Sequence, residues 1–377
     1  MVTSPSENDV FQQGLAALQG GNVKTAEDCL KIVLAANPKH VGALNYLGLL
    51  LTRLGRLPEA EFYLHRAAEA ASSDATLYNY GIVLQALNRP AEALDRFTQA
   101  LAINATVAET WNSRGTVFNT LNRPTEALRD FDKASQLNPQ FADAWFNKAN
   151  SLLLLGRAKD ALAAFDAVLK IKPDIVQAWL GRADILYGLR QFEKASAAYD
   201  QALALKSDLP EAWLGRGSVL FDEGRYDDAL VAFDKVIAVR PGFAEAWLCR
   251  GNVLLGARRY DVARVAFDKA VALKDELAEA WFGLGDLHFE LKRYNDALGA
   301  YDAAVKRNPN FAAAWFGRGA ALLKIFRWRD AFTSIDTALT LNPDISKDQG
   351  SVGLPWVWLI VAASGLVLIL VACFLLL

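Results

Sequence analysis

Seven tryptophans follow one another at a constant interval of 34 residues: Trp111, Trp145, Trp179, Trp213, Trp247, Trp281 and Trp315. Spacing this regular means that one supersecondary unit is repeated along the chain, which sets aside the ordinary single-core folds. With Trp as the fourth position of each unit, the eighth is always small: Gly115, Ala149, Ala183, Gly217, Gly251, Gly285, Gly319. Position 20 is alanine in all seven, from Ala127 to Ala331. Position 24 carries Phe131, Phe165, Tyr199, Phe233, Phe267, Tyr301 and then Ile335. Proline recurs at position 32 as Pro139, Pro173, Pro241, Pro309 and Pro343. The same frame runs backward through Gly81 with Ala93, Gly48 with Ala60, and Gly14 with Ala26. There Leu77, Leu44 and Val10 stand in place of Trp, and one residue is missing near Ser72 and Ser73.

At helical periodicity, positions 4, 8 and 11 share one face of a first helix, and 20, 24 and 27 share one face of a second. Small residues at 8 and 20 let two backbones approach, and the large ones at 4 and 24 fill the space around that contact. The tryptophans are therefore expected in the core. Proline at 32 ends the second helix. One such unit cannot bury its apolar face alone, so neighbours must stack. An all-α chain follows, with about ten units over residues 7–343, a tail at 1–6 and a linker at 344–353.

These anchors resemble the tetratricopeptide-repeat family over nearly the whole chain. The resemblance implies a right-handed superhelical solenoid whose first helices line a concave groove that grips peptides or extended segments. The opening stretch FQQGLAALQGGNVKTAEDCLKIVLAANPKH is also similar to the first repeats of bacterial arrays that continue into a glycosyltransferase domain of the O-GlcNAc-transferase type. Here the repeats run into an apolar tail instead, so no catalytic domain is expected.

Positions 2, 5, 6, 9, 12 and 13 of each first helix face away from the contact within the repeat. Position 5 offers Phe146, Leu180, Leu214, Leu248, Phe282 and Phe316, and position 12 offers Tyr187, Phe221 and Phe289. Position 2 supplies Glu211, Glu245 and Glu279, while Asp184, Asp222, Asp286 and Glu290 occupy positions 9 and 13. The expected groove has an apolar floor and an acidic edge, suited to an amphipathic or basic-apolar protein segment. A second reading stays open, in which curvature presses positions 5 and 12 into neighbouring repeats. Position 6 is glycine at 181, 215, 283 and 317. Glycine inside a helix costs ~1 kcal/mol against alanine, so either a ligand or an adjacent helix must come close there.

Position 25 is aspartate in seven successive units, and position 7 is basic in six of the seven, with Leu284 the exception. Two readings are open: solvated duplicates, or a ladder joining Asp166 to Arg182, Asp200 to Arg216, Asp234 to Arg250 and Asp302 to Arg318. If desolvated, such pairs would each hold a few kcal/mol, on the order of 3 kcal/mol.

Other function classes find little support. A net charge of -2 without a basic run gives no footprint for nucleic acid. Three scattered cysteines and three scattered histidines offer no metal site, and no cofactor motif or catalytic residue stands out. GRG triplets lie within first helices and not between a strand and a helix, so they are not phosphate loops. The carboxylate clamp that binds chaperone C-termini needs basic residues at positions 5 and 2, and none is there. The first nine residues, MVTSPSEND, lack the basic and apolar regions of a secretory signal. Residues 354–377 supply 24 predominantly apolar residues with Trp356 and Trp358 at their start. That is enough for a transmembrane helix with an aromatic belt. The expected protein is a single-pass, tail-anchored membrane scaffold with its array in the cytoplasm, on an inner membrane if bacterial. A regulatory or substrate-recruiting subunit of a separate enzyme, such as a glycosyltransferase, is the alternative.

Overall fold

The computed structural model describes residues 6–345, and the chain divides into two compact units, Met1–Ser207 and Asp208–Leu377. The first unit holds α1 (Glu7–Gln19), α2 (Val23–Ala36), α3 (Val41–Arg53), α4 (Leu57–Ala70), α5 (Asp74–Ala86) and α6 (Pro90–Ile103). It continues with α7 (Ala108–Thr120), α8 (Pro124–Leu137), α9 (Ala142–Leu154), α10 (Ala158–Ile171), α11 (Val176–Gly188) and α12 (Phe192–Leu205). The second holds α13 (Pro210–Asp222), α14 (Tyr226–Val239), α15 (Ala244–Gly256) and α16 (Tyr260–Leu273). After these come α17 (Ala278–Glu290), α18 (Tyr294–Arg307), α19 (Ala312–Lys324) and α20 (Trp328–Leu341). Among the described residues the chain is therefore an all-α solenoid of two-helix repeats. None of these helices is long and apolar enough to cross a membrane. The expected span at 354–377 lies outside the described residues.

Each repeat turns between its helices in the same way. The residue at position 15 has positive φ, as at Gly55, Asn88, Gly224 and Arg258. The next N–H then donates back to the carbonyl of position 11, as from Arg89 to Leu84 at 2.9 Å and from Arg225 to Leu220 at 2.8 Å. This six-to-one bond with a left-handed residue before it is the Schellman ending, which satisfies helix carbonyls that would otherwise face no donor.

The ring at position 24 is the centre of each joint. Phe97, Phe131, Phe165, Phe233 and Phe267 are almost fully buried. Phe267 lies between Gly251 of its own repeat and Gly283 of the next. A β-carbon added at either glycine would come within 2.6 Å or 2.5 Å of the ring. Tyr301 is held in the same way between Gly285 and Gly317. Gly181, Gly283 and Gly317 thus answer to the second helix of the preceding repeat and not to a ligand. At Phe97, Phe131, Phe165 and Phe233 only one side is glycine. Ser113, Asn147 and Cys249 follow repeats with glycine at position 8 (Gly81, Gly115, Gly217), and Ala149 is followed by Gly181.

The tryptophans are packed against the core but stay half-buried, which corrects their placement inside it. In Trp111, Trp145, Trp179, Trp247, Trp281 and Trp315 the indole N–H donates to the carbonyl six residues earlier, in the turn that joins two repeats. Trp145 reaches Pro139 O at 3.1 Å, Trp179 reaches Pro173 O at 2.8 Å, and Trp315 reaches Pro309 O at 2.8 Å. An amphipathic ring with one polar edge suits that position.

The ion-pair ladder exists. Arg182 meets Asp166 at 2.7 Å, Arg250 meets Asp234 at 2.8 Å, Arg318 meets Asp302 at 2.5 Å, and Lys148 meets Asp132 at 2.8 Å. Asp200 belongs to the first unit and Arg216 to the second. Where Thr98 replaces the aspartate, Arg114 turns to Asp130 of its own repeat with two bonds of 2.7 and 2.8 Å. Opposite Leu284, Asp268 is met by Arg264 at 3.6 Å. The strength expected of these rungs needs correction. The carboxylates of Asp166, Asp234 and Asp302 are about half exposed, and pairs in that setting contribute about 0.2–1 kcal/mol.

If the glycine-lined ring sets the joint, Gly181→Ala puts a β-carbon on Phe165, whose other side already carries Ala149. A loss of about 1–3 kcal/mol is expected, despite the better helix propensity of alanine. Gly299→Ala, at a helical glycine with open space around it, should instead gain roughly 0.5–1 kcal/mol. Thermal melts of the two variants test this, and a Gly181→Ala protein as stable as the parent would contradict the joint.

Candidate functional site

A cavity of about 570 Å³ opens among the first helices of the second unit. Its walls include Phe221 of α13, Leu255 of α15, Phe282 and Phe289 of α17, and Phe311 before α19. Phe221, Leu255, Phe282 and Phe289 arrive there because positions 5 and 12 of consecutive first helices project to the same side, and Phe311 enters from the turn before α19. The rings touch one another and the core below. Phe282 lies 5.1 Å from Phe311 and 5.8 Å from Tyr301, and Phe289 lies 5.4 Å from Tyr294, between ring centroids. Glu279 and Glu290 stand exposed at the margin, with Arg258 opposite in charge on the lining.

The residues expected at the groove divide into three groups. Phe221, Phe282, Phe289, Phe316 and Glu279 line this cavity together. Leu214 and Leu248 belong to the second unit too, but pack half-buried on its core cluster. In the first unit Phe146 leans on Phe165 at 5.8 Å and Tyr187 on Phe192 at 6.0 Å, and Leu180 is half-buried beside Gly181. Apart from Phe316, position 5 is thus neither a free floor nor a core position. Phe316 departs furthest from expectation. It is only 5% exposed, because Ala338 and Ile345 close over it.

The acidic edge also needs correction. Glu211 is paired with Arg240 at 2.7 Å and Glu245 with Lys274 at 2.7 Å. Both bases sit just past the second helix of the same repeat. Asn308 takes that place behind Glu279, which makes no ion pair among the described residues. Asp286 is drawn in from the edge, whereas Asp184 stays exposed there. Each accepts a hydrogen bond of 2.6 Å from a position-24 tyrosine, Tyr199 and Tyr301 respectively. Tyrosine replaces phenylalanine only in the two repeats whose position 9 is aspartate. That coincidence was the signal available in the sequence. A buried hydroxyl needs an acceptor, and position 9 supplies it across the repeat.

Burial pushes the Asp286 carboxyl up to about 7, with the Glu290 charge adding to the shift and the Tyr301 hydroxyl opposing it. Burial raises Asp184 as well. Among the described residues no cluster of His, Cys, Asp and Glu could hold a metal ion. What the arrangement offers chemically is an aromatic recess with an ionisable base and carboxylates at its mouth.

The sign of the pH effect follows from the raised value. Between about pH 4 and 7 the folded chain keeps a proton on Asp286 that the unfolded chain has released, so stability falls as pH rises through that window. Asparagine cannot ionise. Asp286→Asn should therefore gain on the parent by about 1–3 kcal/mol between pH 5 and 8. Denaturant titrations across that range measure the difference, and a flat difference would place the carboxyl in a solvated setting.

Comparison with known proteins agrees with the repeat architecture. A tetratricopeptide repeat family model matches residues 11–75, 113–174, 180–245, 220–278, 248–304 and 284–344, more than half of the chain. The human tetratricopeptide repeat proteins 7B and 7A are each 33% identical over 102 residues, which is 27% of this chain and 12% of theirs. The match thus spans a small part of those relatives. A solved structure, the C-terminal part of a repeat-containing protein from Cytophaga hutchinsonii, is 17% identical. It covers 64% of this chain and 98% of its own with a TM-score of 0.51, and bears on the fold alone. The 34-residue period, the two-helix unit and the matched segments agree: the chain belongs to the tetratricopeptide-repeat family.

Proposed function

We propose that this chain is a protein-interaction scaffold whose docking surface is the aromatic recess of the second unit, and that residues 354–377 tether it to a membrane. Tetratricopeptide-repeat proteins are generally interaction scaffolds that bind peptide or protein partners. The observation that carries the reading is the recess itself. Phe221, Phe282, Phe289 and Phe311 line one cavity of about 570 Å³, and the carboxylates left over from internal pairing, Glu279 and Glu290, stand at its margin. An aromatic floor with acidic residues beside it suits an extended segment that alternates apolar and basic side chains. The apolar run of 24 residues supports the tether, being longer than the roughly 20 that a helix needs to cross the hydrocarbon core.

Glu279 and Glu290 are exposed, so their replacement tests docking without touching the joints between repeats. Labelled synthetic peptides alternating leucine and lysine should bind the parent, and Glu279→Lys with Glu290→Lys should weaken them at least about tenfold. The melting temperature should not fall, since Glu290→Lys only relieves the charge that raises Asp286. Equal binding by the charge-reversed chain would contradict docking at this recess.

A further inference from the structure

Ten turns inside the repeats place position 15 at positive φ, and nine of those residues are glycine, asparagine, arginine or lysine. The tenth is Phe326, at φ 65. A bulky aromatic residue rarely adopts that conformation, and one that does is held there at a cost in strain. The turn itself is held as in the other repeats, by the Arg327 N–H donating to Leu322 O at 3.0 Å, but the Phe326 ring adds nothing to the core, being 74% exposed. Trp328, two residues on, is 48% exposed, and Phe332, one helical turn further along α20, is 38% exposed. In other repeats the aromatic residue two positions after the turn folds back on the first helix. Phe192 lies against Tyr187, Tyr226 against Phe221 and Tyr294 against Phe289. Trp328 turns outward instead and meets Phe326 edge-on, with ring centroids 5.9 Å apart. Lys324, Arg327 and Arg329 are exposed around these rings. Arg327 is paired with Asp330 at 2.5 Å.

We infer that this last turn is a membrane-surface contact, in which Phe326 and Trp328 enter the headgroup layer of an anionic bilayer while Lys324, Arg327 and Arg329 face its phosphates. The inference rests on the tether proposed above and adds a second point of attachment to it. Aromatic rings with one polar edge collect at the headgroup level, and basic residues beside them are drawn to anionic lipid. A protruding pair of rings ringed by cations suits that layered medium better than the flat, charge-poor centre of a protein interface. Reach allows both attachments. The turn lies at the start of α20, whose 14 residues measure about 21 Å. Eight residues of polypeptide can span at most about 28 Å, so the apolar run and the turn can meet one surface.

The test uses the full chain in vesicles of about three parts phosphatidylcholine to one part phosphatidylserine, a strongly anionic surface. The photo-crosslinking residue p-benzoylphenylalanine replaces Phe326, and in a separate chain Lys292, the same turn position one repeat earlier. The expected result is lipid crosslinking at 326 in roughly tenfold excess over 292, lost in large part when Arg327 and Arg329 become glutamine. Equal lipid crosslinking at the two positions would overturn the inference, and so would crosslinking at 326 to a second copy or to the chain's own apolar run. Flotation after carbonate washing separates the two readings. A chain that floats without lipid crosslinks at 326 leaves the tether standing and removes the surface contact, and a chain that does not float removes both.

Discussion

A ring gripped between two glycine-bearing helices is the interaction on which the array depends. Phe267 touches the backbone face of α15 through Gly251 and that of α17 through Gly283, so one side chain belongs equally to two repeats. That sharing makes a repeat stable only beside its neighbour, as expected of a solenoid. It also explains why glycine is tolerated in the middle of so many first helices. The propensity lost, about 1 kcal/mol at each, is offset by closer packing around a large buried ring. The complementary placement of small residues shows the same constraint from the other direction. Ala149 takes space that Gly181 gives back across Phe165.

Polar contacts then settle how each joint is finished. The basic residue at position 7 reaches the aspartate of the preceding repeat and covers the tryptophan one turn earlier, as Arg250 covers Trp247 at 5.9 Å. Where Leu284 removes that base, Arg307 supplies the cation over Trp281 at 4.6 Å and binds Asp275 at 2.7 Å. The earliest repeats lack both partners of the ladder and use another pair. Arg56 reaches Glu27 at 2.9 Å and Arg89 reaches Glu61 at 2.5 Å. Such half-exposed pairs add little stability each. Their effect is to select one rotation between neighbours, because a cation held over an indole and beside a carboxylate has few other places to go.

Much of this was legible in the sequence because a strict period reduces the fold to one unit and its contact with the next. The helices, the small-residue contact and the ion pairs all follow from positions counted within 34 residues. The parts that were not legible depend on how far each side chain sinks between helices. Asp286 has the same polarity as Glu290, yet a hydroxyl of Tyr301 draws it inward while Glu290 stays in water. Phe316 reads like Phe282, but Ile345, beyond the last helix, closes over it. Glu211 and Glu279 occupy one position, and only the residue some 30 places later, Arg240 or Asn308, decides which is neutralised. The indole bonds to the inter-repeat turn were hidden for a similar reason. A tryptophan at a packing position reads as apolar until its nitrogen is placed.

A surface built on first helices is only as well ordered as the joints beneath it, and the Tyr301 ring of one such joint lines the recess in the second unit. The central claim is that each ring couples two repeats. Hydrogen exchange read by mass spectrometry in Phe267→Ala tests it most directly, against an expected cost of about 3–5 kcal/mol for emptying the site. Faster exchange is expected in α15 and α17 alike, since both helices lose the same ring. Faster exchange confined to α15 and α16, with α17 protected as before, would contradict it.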